Sequence, residues 1–196
     1  DLLVFMYEEV GYTKRDAVRL IIENNLYGFE IDKRARALAS FELVMKACEY
    51  DSRFLKRGVT PQIVYLAPVE FSADEVTQLP ELVDRKGLMN ALAHLDECGS
   101  LFKPDPEDVT AVADALRRIK AQDNLFADAL CSKLESVLVC CRALSRSYSL
   151  AVTNPPYMGS SNMNKWLSVW VKKQYPNTYR DLCTCFIERC VEMIGA

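Results

Sequence analysis

An α/β fold carrying a helical insertion is what this sequence predicts, and three observations predict it. Short apolar runs at residues 26–31, 62–67 and 148–152 have the length of strands, with helical periodicity between them. Residues 73–146, between the second and third runs, turn helical and charged. The third run ends in Asn154-Pro155-Pro156-Tyr157. That is a stiff turn at a strand's C-terminal end, the edge where open α/β sheets bind ligands.

The elements follow in order. Asp1 to Tyr7 lacks a starting methionine and reads as a helix already under way. Thr13 with Asp16 predicts an N-terminal cap for a helix running to Asn24-Asn25. Leu26-Tyr27-Gly28-Phe29-Glu30-Ile31 is a short strand ending in an acid, and Asp32 is placed to cap the next helix. Leu38, Phe41, Met45 and Cys48 fall at helical spacing and are predicted to face the sheet. Pro61 introduces the strand Gln62 to Ala67. Ser72 with Glu75 forms a capping box. Asp105-Pro106-Glu107-Asp108 opens a helix with Val112, Leu116 and Ile119 on one side, and Leu125 to Leu144 continues the helical pattern. Tyr148-Ser149-Leu150-Ala151-Val152 reads as a buried strand leading into the proline turn. Asn164 to Lys173 is patterned as an amphipathic helix. A last helix from Asp181 places Leu182, Phe186, Cys190 and Val191 on one face.

Composition narrows the class. A chain of 196 residues with 50% hydrophobic content can bury a sizeable core. No apolar run approaches the ~18–20 residues needed to span a bilayer, and no signal-peptide pattern is present. The eight cysteines are not spaced for metal. Cys140 and Cys141 are adjacent, Cys183 and Cys185 are one apart, and the sole histidine, His94, has only Cys98 as a ligand-like neighbour. Free thiols in a reducing cytoplasm are the expectation, with no metal site. The net charge of −3 is not the basic stripe of a nucleic-acid-binding surface. One local exception stands out. Lys165, Lys172, Lys173 and Arg180 are interleaved with Trp166, Trp170, Tyr175 and Tyr179. Such a mixture suits a phosphate backbone or a splayed strand, and it equally suits an amphipathic helix with solvated lysines.

Asn154-Pro155-Pro156-Tyr157 resembles the Asn-Pro-Pro-Tyr motif of S-adenosylmethionine-dependent amino-methyltransferases, above all the DNA adenine-N6 enzymes. By composition alone such a tetrapeptide arises in roughly 6 of 10,000 chains. The resemblance implies a partial Rossmann-like class I methyltransferase core, residues 1–72 and 147–196, with 73–146 as a helical insertion. It also implies site roles. The Asn154 amide oxygen and the Pro155 carbonyl would accept the two N–H groups of an adenine amine and free its lone pair. Pro155 and Pro156 would stiffen the turn. Tyr157 would stack on a base that has left the duplex. Glu30 would accept hydrogen bonds from the cofactor's ribose diol and Ile31 would pack on its adenine. Asp181 opens an Asp-Leu…Phe-Ile-Glu segment similar to the family's helix after the catalytic loop, and is a candidate cofactor contact.

The segment from Asn154 to Met193 most resembles the adenine methyltransferases of BREX-type phage defence and related large restriction–modification enzymes. The family's Gly-rich cofactor loop has no counterpart before Glu30, where Gly11 and Gly28 stand isolated. The chain therefore reads as an internal fragment, inactive in isolation, of a cytoplasmic enzyme. Its DNA would be met by parts outside the fragment, and other restriction or defence subunits would be partners. RNA or protein-glutamine amino-methylation uses the same turn and is the alternative chemistry. A non-catalytic interaction module that retains the fold is the alternative class.

Overall fold

A computed structural model describes residues 1–122 and 127–195. They fall into two units, Asp1–Ala67 and Pro68–Ala196.

The first unit opens with helix α1, Leu2–Glu9, and helix α2, Lys14–Leu20, which Thr13 caps by accepting the Asp16 N–H. The chain then widens into one π-helical turn, Ile21–Asn25, and enters strand β1, Tyr27–Glu30. Helix α3, Lys33–Tyr50, crosses over to strand β2, Gln62–Tyr65, which lies parallel to β1 with Tyr27 opposite Gln62 and Glu30 opposite Tyr65. A parallel pair needs such a crossover. Gly28 lies close to the second strand, where a Cβ on it would stand 3.3 Å from the Ile63 side chain, a tight contact.

Asp32 caps α3 as its position predicted, accepting the Arg34 and Ala35 N–H groups at 2.7 and 2.8 Å. The face that α3 buries is not the predicted one. Ala47 is buried, with Leu43, Val44 and Cys48 packed around it against Val18, Ile22 and Phe54. Leu38, Phe41 and Met45 are exposed. The covered face is the one that meets α2, the π-helical turn and the turn at residues 54–57. Asp51 closes this unit, buried and paired with Arg57 and Arg15. Burial pushes its carboxyl up, but the Arg53 N–H and the two guanidiniums outweigh that and hold it below its ordinary value.

The second unit is helical. It contains α4, Ala73–Thr77; α5, Lys86–Leu92; α6, Leu95–Cys98; α7, Pro106–Lys120; α8, Ala127–Leu144; α9, Lys165–Gln174; and α10, Leu182–Ile194. The capping boxes at Ser72/Glu75 and Asp105/Asp108 form as the sequence predicted. Val112, Leu116 and Ile119 of α7 are buried, as are Leu130, Leu134, Val137 and Leu144 of α8. Leu125, where the helical pattern was predicted to begin, lies outside the described residues. All eight cysteines are free thiols. Burial raises Cys98 and Cys140 to about 12, which keeps them protonated and unreactive at neutral pH.

Two expectations are corrected here. Residues 148–152 form no strand. Tyr148 donates its N–H to Met193 and its hydroxyl to Ala143, and then the chain runs extended with Leu150 and Val152 75% and 88% exposed. A strand exists only by pairing, and no described strand pairs with this segment. On α10 the buried face is Leu182, Cys185, Arg189 and Met193, while Val191 is exposed.

The buried residue on that face that the pattern could not reveal is Arg189. Its Nε donates to Ser100 O at 2.9 Å, and its Nη2 to Leu144 O at 2.6 Å and Phe102 O at 3.3 Å. One guanidinium thereby satisfies three carbonyls from two segments. Burial lowers its pKa, opposed by Tyr175 and Glu192 beside it. Arg189→Met should cost about 3 kcal/mol or more, since those carbonyls lose their donor in the interior. Arg189→Lys should recover only part, because an ammonium cannot reproduce the planar fork. Urea unfolding of the three proteins measures this, and equal midpoints would remove Arg189 as a structural fastener.

Candidate functional site

The site builds from the turn outward. Pro155 and Pro156 each fix φ near −65° and remove a donor, so the turn cannot be absorbed into a helix or sheet. The Met158 N–H closes back on Pro156 O at 3.1 Å. The chain is then clamped against the start of α10. Gly159 pairs with Asp181 in an antiparallel bridge, Ser160 N donates to Arg180 O at 2.8 Å, and Leu182 N donates to Met158 O at 3.0 Å. Upstream, residues 149–153 make no backbone hydrogen bond among the described residues. The turn is thus anchored on its downstream side.

Asn154 is exposed, and its amide has no protein partner among the described residues. The Tyr157 ring is 85% exposed. An amide with both acceptor lone pairs available, next to a bare aromatic face, can receive a planar ring bearing an NH₂ group. Asp181 lies across the bridge from Gly159, two residues past Tyr157. Its Oδ1 caps α10 by accepting the Cys183 N–H at 2.8 Å, so one oxygen is committed to the helix.

In the first unit Glu30 ends β1. Its Oε1 accepts the N–H groups of Ile31 and Asp32 at 2.8 and 2.9 Å. Those two bonds fix the carboxylate at the strand end, and Oε2 has no protein donor among the described residues. Ile31 beside it is 47% exposed. A carboxylate with one anchored and one open oxygen, flanked by an exposed aliphatic side chain, has the donor set for a ribose hydroxyl and an adjoining flat ring. No group of His, Cys, Asp and Glu able to hold a metal occurs among the described residues.

The basic and aromatic residues after the turn sort into two roles. Trp170 and Tyr175 are buried, and the Tyr175 hydroxyl donates to Leu101 O. Lys172 sits over the Tyr179 ring at 5.7 Å. Trp166 lies flat on His94, with ring centroids 4.0 Å apart, and its indole N–H donates to Asn90 Oδ1 at 3.3 Å. Sequence reasoning missed His94 and Asn90, which lie 72 and 76 residues from Trp166; no local pattern signals a pairing across that distance.

A family model described as Eco57I restriction-modification methylase matches residues 24–196. The chain is 30% identical over 224 residues to the adenine-specific methyltransferase BrxX of Escherichia coli O9:H4 (strain HS), covering 99% of this chain and 19% of that protein. It is also 30% identical over 200 residues to the adenine-specific methyltransferase PglX of Lacticaseibacillus casei (strain Zhang), covering 96% of this chain and 17% of that one. The chain therefore spans about a fifth of the length of the curated relatives it matches.

Asp181→Ala removes the α10 cap beside the turn and should lower stability by about 1 kcal/mol, while Asp181→Asn, still an acceptor, should stay within a few tenths of the parent. Thermal unfolding of both variants checks this, and a neutral alanine would mean that the cap contributes nothing to holding the turn.

Proposed function

The chain belongs to the Eco57I restriction-modification methylase family, and on that premise we propose that it is part of a DNA adenine-N6 methyltransferase serving restriction–modification or phage defence. The observation that carries this reading is the exposed Asn154-Pro155-Pro156-Tyr157 turn, whose amide and phenol are both open to a ligand. Residues 1–72 and 147–196 are read as parts of a Rossmann-like class I core, and 73–146 as its helical insertion. Leu150 and Val152, two residues apart and both exposed, form the kind of apolar face that a larger sheet covers.

Glu30 and Ile31 are assigned to the cofactor's ribose and adenine, and Asp181 contributes the carboxylate oxygen that does not cap α10. S-adenosylmethionine, when bound, supplies a methyl group already activated on a sulfonium. The remaining work falls to the turn. The Asn154 amide oxygen and the Pro155 carbonyl each accept one N–H of the adenine amine and localise its lone pair on nitrogen. The two acceptors would stabilise the positive charge developing on the N–H groups as the methyl carbon exchanges its bond to sulfur for one to nitrogen, and the surplus amine proton would leave to water. Because the prolines fix these dipoles before the substrate arrives, little reorganisation is needed during transfer. Tyr157 holds the base out of the duplex by stacking, worth about 1–3 kcal/mol. DNA is engaged largely through other parts of the longer protein, which acts in the cytoplasm. No helix among the described residues is long and apolar enough to cross a membrane.

In the full-length protein Asn154→Ala should lower methyl transfer by at least about 10²-fold, as loss of a preorganised polar group does elsewhere, while leaving cofactor affinity unchanged. The assay offers DNA, RNA and protein together with radiolabelled S-adenosylmethionine. Transfer that survives the substitution, or that goes to RNA or protein instead, overturns the reading.

A further inference from the structure

Helices α5 and α9 enclose a groove of about 530 Å³, within the size range of pockets that hold small ligands. Its walls are Trp166, Val169 and Trp170, its rim carries Lys165, Lys173 and Asn90, and no acid lines it among the described residues. The aromatic wall is ordered: the Trp166 ring is nearly parallel to His94, with centroids 4.0 Å apart, and to Trp170, with centroids 5.7 Å apart. Positions 165, 166, 169, 170 and 173 share one helical face, with the backbones of Lys165 and Lys173 about 12 Å apart along the axis.

Charge decides what this groove accepts. The chain is acidic overall, yet residues 158–180 contain four cations and neither Asp nor Glu. None of Lys165, Lys172, Lys173 and Arg180 forms an ion pair among the described residues, whereas other lysines, such as Lys46, Lys120 and Lys133, do. A solvated amphipathic helix accounts for Leu167 and Val171, which are buried. It does not account for an apolar hollow with a lysine at each end. A hollow for a plain apolar side chain needs no ammonium groups at its rim. A nucleobase flanked by phosphates needs both features. Asn90 keeps amide donors for a base edge, since only its Oδ1 is committed, to the Trp166 indole.

We propose that the α5–α9 groove is a contact for an unstacked nucleotide of a DNA strand, with a base against the Trp166–Trp170 wall and its neighbouring phosphates on Lys165 and Lys173. This rests on the methyltransferase reading and deepens it. The groove begins eight residues after Tyr157 in the chain, so a strand opened for base extrusion would have a second place to be held.

The test uses the full-length protein and a fluorescein-labelled single-stranded oligonucleotide, with the matching duplex in parallel. Fluorescence anisotropy is read from 50 to 300 mM salt. For Lys165→Gln with Lys173→Gln, both exposed positions, the single-strand affinity should fall about tenfold at low salt, and the slope of log K against log salt should flatten by about 1.4. Trp166→Ala should weaken binding with the slope unchanged, because stacking releases no counterions. Thermal unfolding shows whether loss of the His94 contact is itself destabilising; if Trp166→Ala does not fold, the lysine pair alone decides. Affinity and slope both unchanged in the lysine variant overturn the proposal. Equal losses for an unrelated polyanion such as heparin, without discrimination by Trp166→Ala, overturn it as well. Methyl transfer measured on the same preparations separates the two readings. A parent protein that methylates DNA while the lysine variant binds normally sinks the groove alone. A parent that methylates no DNA sinks the enzyme reading, and the binding data still decide the groove.

Discussion

The short clamp between residues 158–160 and 180–182 is the contact on which the Asn154–Tyr157 turn depends. Two prolines make the turn stiff but leave it with few backbone donors, so it cannot secure itself. The Met158, Gly159 and Ser160 backbone supplies what the prolines lack, pairing with Arg180, Asp181 and Leu182. That fixes the turn to the first residues of α10. Helix α10 is in turn held by Arg189, which reaches the carbonyls of Ser100, Phe102 and Leu144. A rigid path therefore runs from the unit's interior to the exposed Asn154 and Tyr157.

The two candidate ligand groups are held by the same kind of device. Glu30 is oriented by accepting backbone N–H groups at a strand end, and Asp181 by accepting one at a helix start. Each commits one oxygen to the backbone and leaves the other. This is an economical way to place a carboxylate, because backbone donors in turns and helix starts otherwise lack partners. Both residues therefore have a structural role that stands whether or not a ligand is present.

Apolar surface is distributed unevenly. Leu38, Phe41 and Met45 on α3, and Leu150 and Val152 before the turn, are all exposed. Each lies where sequence patterning predicts a buried face. The pattern reports that a side chain is suited to burial, and burial also needs a surface opposite. On α3 that surface is supplied by Val18, Ile22 and Phe54, which lie on the Ala47 side.

Local chemistry was legible from sequence wherever the partners were a few residues apart. Thr13 with Asp16, Asp32, Ser72 with Glu75, and Asp105 with Asp108 cap their helices because a cap is decided within one turn of chain. The strands at 27–30 and 62–65 and the family resemblance of residues 154–157 were legible for the same reason. Tertiary structure alone decided which helical face was covered, as the buried Cys185 and Arg189 and the exposed Val191 of α10 show. It alone brought His94 and Asn90 to Trp166. Contacts between distant segments depend on where the whole backbone goes, and no short window of sequence holds that information.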